Sequence, residues 1–436
     1  MKKTHTILIP DMLPIHFSIL CNIFTEYGYK IEHLHNKGAQ IVQTGLKYVH
    51  NDTCYPALLV IGQMIDALQS GGYDLDKAAL MITQTGGGCR ASNYIFLLRK
   101  ALKRAGLEQI PVISLNLNNL EPNPGFTLTL PMIRKAVAAV LYGDELMLLC
   151  NQVRPYETEA GDTDKLLSEW IGKISASFRN GTAYQLTRMK KTMRRIAEDF
   201  SNISVKDINK VKVGIVGEIY IKYSGLGNND LETFLLGQGC EYMVPGLLGF
   251  LMYCADGKIE EYKLYGGKFL KKTAVSILKK YLTSMEKVLI KSVSRTRFTA
   301  PEAFMHTKSL AKGIIGHGSV MGEGWLLTAE MAELTKEGYP NIICAQPFGC
   351  LPNHVNGRGM LNKIKELYPK ANIVAIDYDP GASRVNQENR IKLMLASAKE
   401  EKEAVEMKPK TEKETVKIKD NTSVYGLMDR EEEFIM

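Results

Sequence analysis

Three cysteines lie in loop-like segments whose chemistry favours metal binding. Cys89 follows the apolar run "AALMITQ" and the turn "TGGG", and a helical pattern begins just after it. Cys54, in "HNDTCYPALLV", follows capping residue types and precedes a proline that suits a first helical turn. Cys350, in "NIICAQPFGCLPNHVNGRG", lies in a turn bracketed by proline and glycine. Because a helix N-terminus stabilises a thiolate, the form that binds metals, we predict a joint metal site.

The pattern leaves more than one kind of site open. Three thiolates suit an iron–sulfur cluster with one open iron, or a zinc ion completed by a fourth ligand such as His354. The three could also be unrelated loop thiols. No CxxC pair occurs in the sequence. The other five cysteines lie in apolar or helical contexts typical of small buried hydrophobic residues, and they are Cys21, Cys150, Cys240, Cys254 and Cys344.

The triple glycine before Cys89 resembles a phosphate-binding loop at first sight. The Walker pattern requires a lysine followed by Ser or Thr, and neither follows this segment. Glycines also let the backbone approach a bulky ligand closely. We therefore predict that Gly86, Gly87 and Gly88 make room for a cofactor beside Cys89, and that any ATPase needed is a separate protein.

Two further segments carry polar side chains that could reach a cleft. Glu218 follows the predicted strand in "VGIVGEIY", where a structural role in binding backbone amides is favoured over a functional one. The glycine-rich segment "IIGHGSVMGEGW" contains His317, Ser319 and Glu323. Such a loop either covers a cofactor through its backbone amides or is an exposed surface loop.

Alternating apolar runs and amphipathic stretches predict an α/β fold. We expect two doubly wound parallel-sheet domains of Rossmann or flavodoxin type, over residues 1–150 and 206–398, joined by a helical bridge over 151–205. In such sheets ligands bind beyond the carboxyl ends of the strands. Residues 399–436 are dense in charge and poor in aromatic residues, which predicts a flexible tail.

Composition excludes several functional classes. The chain has 436 residues, of which 45% are hydrophobic and 23% charged, as in ordinary globular proteins. A net charge of +8 spread along the chain, without an arginine-rich arm, argues against nucleic-acid binding. The N-terminal apolar run is too short for a signal peptide, and no segment reads as a membrane span. We therefore expect a cytoplasmic protein.

Longer motifs around the three cysteines resemble one superfamily. The segments "NDTCYPALLVIGQMIDAL", "TQTGGGCRASNYIFLLRKAL", "PFGCLPNHVNGRGM" and "IVAIDYDPGASRVNQENRIKLML" are similar to the 2-hydroxyacyl-CoA dehydratase superfamily, and most closely to acyl-CoA dehydratase activase-related proteins. The resemblance covers about residues 5–395. It implies that Cys54, Cys89 and Cys350 ligate an iron–sulfur cluster, either one 4Fe–4S cubane or half of a double-cubane 8Fe–9S cluster shared across a homodimer.

The same resemblance implies a function and partners. A separate ATP-hydrolysing activase would inject a low-potential electron, and an open iron would let a small molecule bind. We expect an electron-transfer or reductase component. Two alternatives remain: a true 2-hydroxyacyl-CoA dehydratase, and a non-enzymatic scaffold or zinc-binding partner of an activase.

Overall fold

The protein contains two four-stranded sheets, and every strand pairing within them is parallel. The computed structural model describes residues 1–50, 52–84, 88–115 and 125–406. The first sheet has the order β2-β1-β3-β4 and the second has the order β6-β5-β7-β8. The strands are β1 (Thr6–Ile9), β2 (Lys30–His33), β3 (Ala78–Thr83), β4 (Val112–Leu115), β5 (Lys212–Gly217), β6 (Glu241–Met243), β7 (Asn341–Pro347) and β8 (Asn372–Tyr378). The predicted α/β class with two parallel-sheet domains is confirmed.

Helices surround the first sheet and connect it to the second. Most strands of both sheets are continuous apolar runs because parallel strands are buried on both faces. The helices before the second sheet are α1 (Pro14–Glu26), α2 (Ala39–Tyr48), α3 (Tyr55–Gln69), α4 (Tyr94–Arg104), α5 (Leu130–Val153), α6 (Asp162–Arg179) and α7 (Leu186–Ser201). Of these, α6 and α7 fall within the segment predicted to be helical.

The second half contains nine further helices among the described residues. They are α8 (Ile219–Tyr223), α9 (Leu231–Gly237), α10 (Leu247–Tyr265), α11 (Phe269–Val293), α12 (Phe304–Leu310), α13 (Gly324–Lys336), α14 (Leu351–Asn356), α15 (Leu361–Leu367) and α16 (Arg384–Glu406). The last helix extends into the segment predicted to be a flexible tail, so that segment begins as a helix. The rest of the tail, 407–436, lies outside the described residues.

One helix, α5, is long and apolar enough to cross a membrane. It has 24 residues, and its most apolar window has a mean hydropathy of 1.2. However, 83% of that window is buried inside the protein, against helices such as α1 and α7. The sequence-based expectation that no segment is long enough to span a membrane is therefore wrong. The burial of α5 is, however, that of a core helix.

A shared apolar core joins the two sheets. One cluster of buried side chains includes Leu80 and Ile82 of the first sheet together with Ile215 and Ile343 of the second. Backbone contacts also cross, because the amide of Leu13 donates to the carbonyl of Tyr223 at 3.3 Å. The chain segments that follow β1 and β5 at the carboxyl ends of the two sheets therefore lie close together.

Candidate metal centre

Three loops that carry the predicted ligands are held together by hydrogen bonds. The amide of Tyr55, just after Cys54, donates to the carbonyl of Phe348 in the Cys350 loop at 2.9 Å. The Arg90 guanidinium, just after Cys89, donates to the carbonyl of Asp52. The Cys54 loop is thus bonded to both of the others, one from each sheet. The predicted ligands, which are far apart in sequence, meet in one region.

Cys54 is the residue just before α3, at its N-cap position, and is buried. Its Sγ lies 2.8 Å from the hydroxyl of Tyr94, the first residue of α4. Burial raises the pKa of the Cys54 thiol to about 11, while the Tyr94 hydroxyl and the Ala57 amide act in the opposite direction. The site therefore offers donors to the sulfur, but burial outweighs them and disfavours the thiolate that the helix N-terminus was expected to stabilise.

Cys89 begins a short 3-10 turn that leads into α4. It is half-buried, and burial raises its pKa, while the amides of Ala91 and Arg90 lower it. Gly88 faces the glycine-rich segment, since a Cβ placed on it would lie 3.0 Å from Cε of Met321. Gly86 and Gly87, predicted to cradle a cofactor, lie outside the described residues.

Cys350 is the residue just before α14, at its N-cap position, and is buried. The side-chain amide of Asn353, one turn into the helix, donates to Sγ of Cys350 at 3.6 Å and to Oε2 of Glu323 at 3.2 Å. Burial raises the pKa of this thiol, and the negative charges of Glu323 and Glu218 raise it further. Asn353 therefore links the cysteine to a buried carboxylate.

Two buried glutamates lie beside the three thiols. Glu218 follows β5 and accepts the amide of Ile221 at 2.8 Å, while Glu323 accepts the amide of Ile219 at 2.9 Å. Burial raises the pKa of Glu218 to about 8, with a further contribution from the charge of Glu323. The structural role favoured for Glu218 is present, because it caps α8, yet its charge also acts on Cys54, Cys89 and Cys350.

The spacing of the cysteines differs from that of a single-ion site. Four ligands at about 2.3 Å around zinc place sulfurs about 3.8 Å apart. Among the described residues, three ligand atoms within 4.8 Å of one another occur at Asp11, His33 and His35, and not at the cysteines or His354. The charge of Cys54 nevertheless raises the pKa of Cys350, and the charge of Cys89 raises the pKa of Cys54. The sulfurs are neighbours that are too far apart to share one tetrahedral ion as they stand.

Exposed apolar side chains border the Cys350 loop. Phe348 and Leu351 flank the cysteine along the chain and are 53% and 64% exposed, and Val355 follows one turn later at 49%. Met321, which lies against Gly88, is 45% exposed. The buried site therefore has an apolar rim on the protein surface.

A separate cavity of about 110 Å³ lies away from the cysteines. Its lining combines apolar residues with carboxylates that include Glu330, Glu333 and Glu337. Burial raises the pKa of Glu333 to about 8 and that of Glu337 to about 7. None of Cys54, Cys89 and Cys350 lines this cavity.

Sequence reasoning found the cysteines but missed three of their neighbours. Tyr94 and Asn353 had no assigned role, although each follows a cysteine closely, by five and three residues respectively. Glu323 was considered only as part of a glycine-rich loop. Helical spacing offers a signal for Asn353, because a residue three positions after an N-cap can turn back towards it.

Comparison with known proteins adds no family to this description. No protein-family model matches the chain, and no curated protein matches its sequence. The residues of the site therefore provide the basis for assigning a function.

Proposed function

We propose that this chain is an iron–sulfur protein that acts as a low-potential electron-transfer or reductase component. The single observation that carries the proposal is the convergence of Cys54, Cys89 and Cys350, from loops of both sheets, on one buried region. The motif resemblance to the 2-hydroxyacyl-CoA dehydratase superfamily points to the same three residues.

The donor set suits a cluster better than a single ion. Three cysteine sulfurs are the number that holds three corners of a 4Fe–4S cubane, and the sulfurs do not all lie close enough together for one zinc ion. When bound, such a cluster supplies one-electron chemistry, and a fourth iron without a protein ligand offers a binding position. A double-cubane cluster shared across a homodimer would use the same residues from two chains.

The chain's own residues would position and tune such a group. Hydrogen bonds to cluster sulfurs and solvent exposure set the reduction potential. Tyr94 and Asn353 place donors on two of the cysteine sulfurs. Burial raises the pKa of Glu218 and of Glu323, which favours their protonated forms, and negative charge added to a nearby cluster would favour protonation further.

An ATP-hydrolysing activase would be the electron donor. The sequence lacks the lysine of a Walker loop after its glycines, so the nucleotide chemistry would belong to a separate protein. The apolar rim formed by Phe348, Leu351, Val355 and Met321 offers a docking surface beside the site. Free thiols suit a reducing compartment, which supports a cytoplasmic location.

The test is anaerobic reconstitution followed by iron and sulfide analysis and EPR spectroscopy. We expect about four irons per chain in either case, since a double cubane shared by two chains holds about eight per dimer, with a paramagnetic reduced state. Cys54→Ser, Cys89→Ser and Cys350→Ser should each lower cluster content. Cys240→Ser is the matched control, because Cys240 is buried but lies outside the site.

Three outcomes separate the candidate functions. Full cluster content in all three variants contradicts the assignment of the ligands. Activity on hydroxyacyl-CoA esters, with activase and reductant supplied, would instead identify a dehydratase. Zinc at one ion per chain without sulfide would identify the non-enzymatic scaffold.

A further inference from the structure

A second group of metal-ligating side chains lies at the carboxyl edge of the first sheet. His33 ends β2, His35 follows two residues later, and Asp11 follows β1 by two residues. The strands pair in parallel with Ile9 opposite His33, so the chain beyond each strand leaves at the same edge. Side chains two residues apart on an extended chain share a face, which brings both imidazoles to one side.

The distances suit three ligands of one small cation. Oδ1 of Asp11 lies 3.5 Å from Nε2 of His33 and 3.9 Å from Nδ1 of His35. All three ligand atoms lie within 4.8 Å of one another. Tetrahedral zinc with nitrogen and oxygen ligands at about 2.0–2.2 Å requires separations of about 3.3–3.6 Å. The Asp11–His33 separation already fits, and closing the group around a cation needs His35 to move closer to the other two ligands.

The imidazole of His33 is held in an orientation that presents a lone pair. Its ring stacks on Phe17 with a centroid distance of 5.3 Å, and it also hydrogen-bonds the backbone of Pro10. A histidine whose other nitrogen is fixed by a backbone carbonyl is the usual arrangement of a metal ligand.

The groups around the site permit a cation. The amide of Met12 donates to Nε2 of His33 at 3.2 Å, a long hydrogen bond that a cation on this nitrogen would replace. Lys37 is the nearby positive charge that acts on Asp11, and its ammonium is paired with Asp230 at 2.7 Å. The side chain of His35 is 69% exposed, which gives an ion a path from solvent.

We propose that Asp11, His33 and His35 form a binding site for a divalent transition-metal cation such as Zn²⁺, with at least one coordination position open to solvent. Two imidazoles and one carboxylate favour zinc, cobalt, nickel or iron over the all-oxygen ions magnesium and calcium. The site is independent of the three cysteines and does not require the iron–sulfur assignment.

Cobalt titration of tag-free, chelator-stripped protein tests this site. Co²⁺ bound by nitrogen and oxygen ligands absorbs in the visible range without the intense near-ultraviolet band of cobalt–thiolate bonds, so the spectrum separates it from ions on the cysteines. The same titration in a variant with Cys54, Cys89 and Cys350 all changed to Ser should retain the nitrogen–oxygen signal at one cobalt per chain. Mg²⁺ in excess should not displace it.

Two variants should remove the signal without unfolding the protein. His35→Ala changes an exposed side chain, and Asp11→Asn keeps the size of the original one. Each should weaken Co²⁺ binding by at least about tenfold, because loss of a direct ligand exceeds the about 10–100-fold loss typical of residues behind the ligands. His306→Ala, at another exposed histidine, is the control and should bind as the wild type does. The proposal is overturned if His35→Ala and Asp11→Asn bind Co²⁺ as tightly as His306→Ala and the wild type do. It is also overturned if the wild type shows no nitrogen–oxygen signal at millimolar Co²⁺.

Discussion

Gly349→Ala tests how tightly the Cys350 loop is joined to the Cys54 loop. Gly349 has φ +73°, which L-residues rarely adopt. A Cβ placed on it would lie 3.2 Å from Cα of Cys54 and 3.5 Å from the carbonyl oxygen of Thr53. The second contact is an ordinary one, but the first is tight, and Cα of Cys54 is a backbone atom that cannot move aside as a flexible side chain would. The substitution therefore adds backbone strain and pushes the two cysteine loops apart.

Both contributions can be given a size. Left-handed backbone strain costs an L-residue about 1–2 kcal/mol, and overpacking of a filled site costs about 1–3 kcal/mol. Gly349→Ala should therefore lower the free energy of unfolding by about 2–5 kcal/mol. Gly106 provides the matched control, because its φ is +72° and a Cβ there meets nothing within 4 Å. Gly106→Ala should cost only the strain, about 1–2 kcal/mol.

The assay is equilibrium urea unfolding of the metal-free variants, followed by circular dichroism, with iron content measured after anaerobic reconstitution. We expect Gly349→Ala to be less stable than Gly106→Ala and also to hold less iron, whereas Gly106→Ala should reconstitute fully. Equal stabilities of the two variants would refute the close contact between the loops. Lower stability with full iron content would mean that the contact supports the fold and not the proposed cluster.

Two further predictions concern buried charges. Both carboxylate oxygens of the buried Glu330 lie 3.2 Å from Nζ of Lys222, and Lys222→Met removes this partner. The substitution should lower the free energy of unfolding by about 3–5 kcal/mol in the same urea assay. Lys173→Met, in an exposed ion pair, is the control and should change it by less than about 0.5 kcal/mol. The pKa of Glu333 is raised to about 8 from 4.5, so its contribution to stability is fully present below about pH 4.5 and is lost as pH rises towards 8. Glu333→Gln should therefore match the wild type near pH 4.5 and exceed its free energy of unfolding by about 2 kcal/mol near pH 8. This value is smaller than the full pKa shift implies, because the side chain is partly exposed to solvent. The same pH dependence of stability in the variant and the wild type would contradict the raised pKa.

The sequence predicted the central strands because their physics is local. Buried parallel strands are short continuous apolar runs, and the runs in "AALMITQ" and "VGIVGEIY" correspond to β3 and β5. The edge strand β2 was missed, because "KIEH" alternates exposed and half-buried residues and has no apolar run. The long helix α11 was also missed, since its exposed face carries apolar residues such as Leu270 and Ile277, which blur the amphipathic pattern.

The neighbours of the cysteines could be predicted less well than the cysteines themselves. Cys89 and Cys350 follow apolar runs and precede helix signals, which are features of the local sequence. By contrast, Tyr94 reaches Cys54 across 40 positions, and Glu323 reaches the amide of Ile219 across 104. Such pairs depend on how α4 and α13 pack, and no short pattern encodes that packing.

The topology explains why these loops meet. In each sheet the chain runs outward to one edge and then crosses to the other side of the first strand, so β3 occupies the same place in its sheet as β7 does in the second. Ligands bind where the strand order reverses in this way, beyond the carboxyl ends of the strands. Cys89 follows β3 and Cys350 follows β7, while Asp11 and Glu218 follow the equivalent strands β1 and β5. The two domains therefore place matching thiols after equivalent strands, and Cys54 at the start of α3 has no counterpart in the second domain among the described residues. That asymmetry gives three thiols instead of two or four, which is the number that leaves one corner of a cubane open.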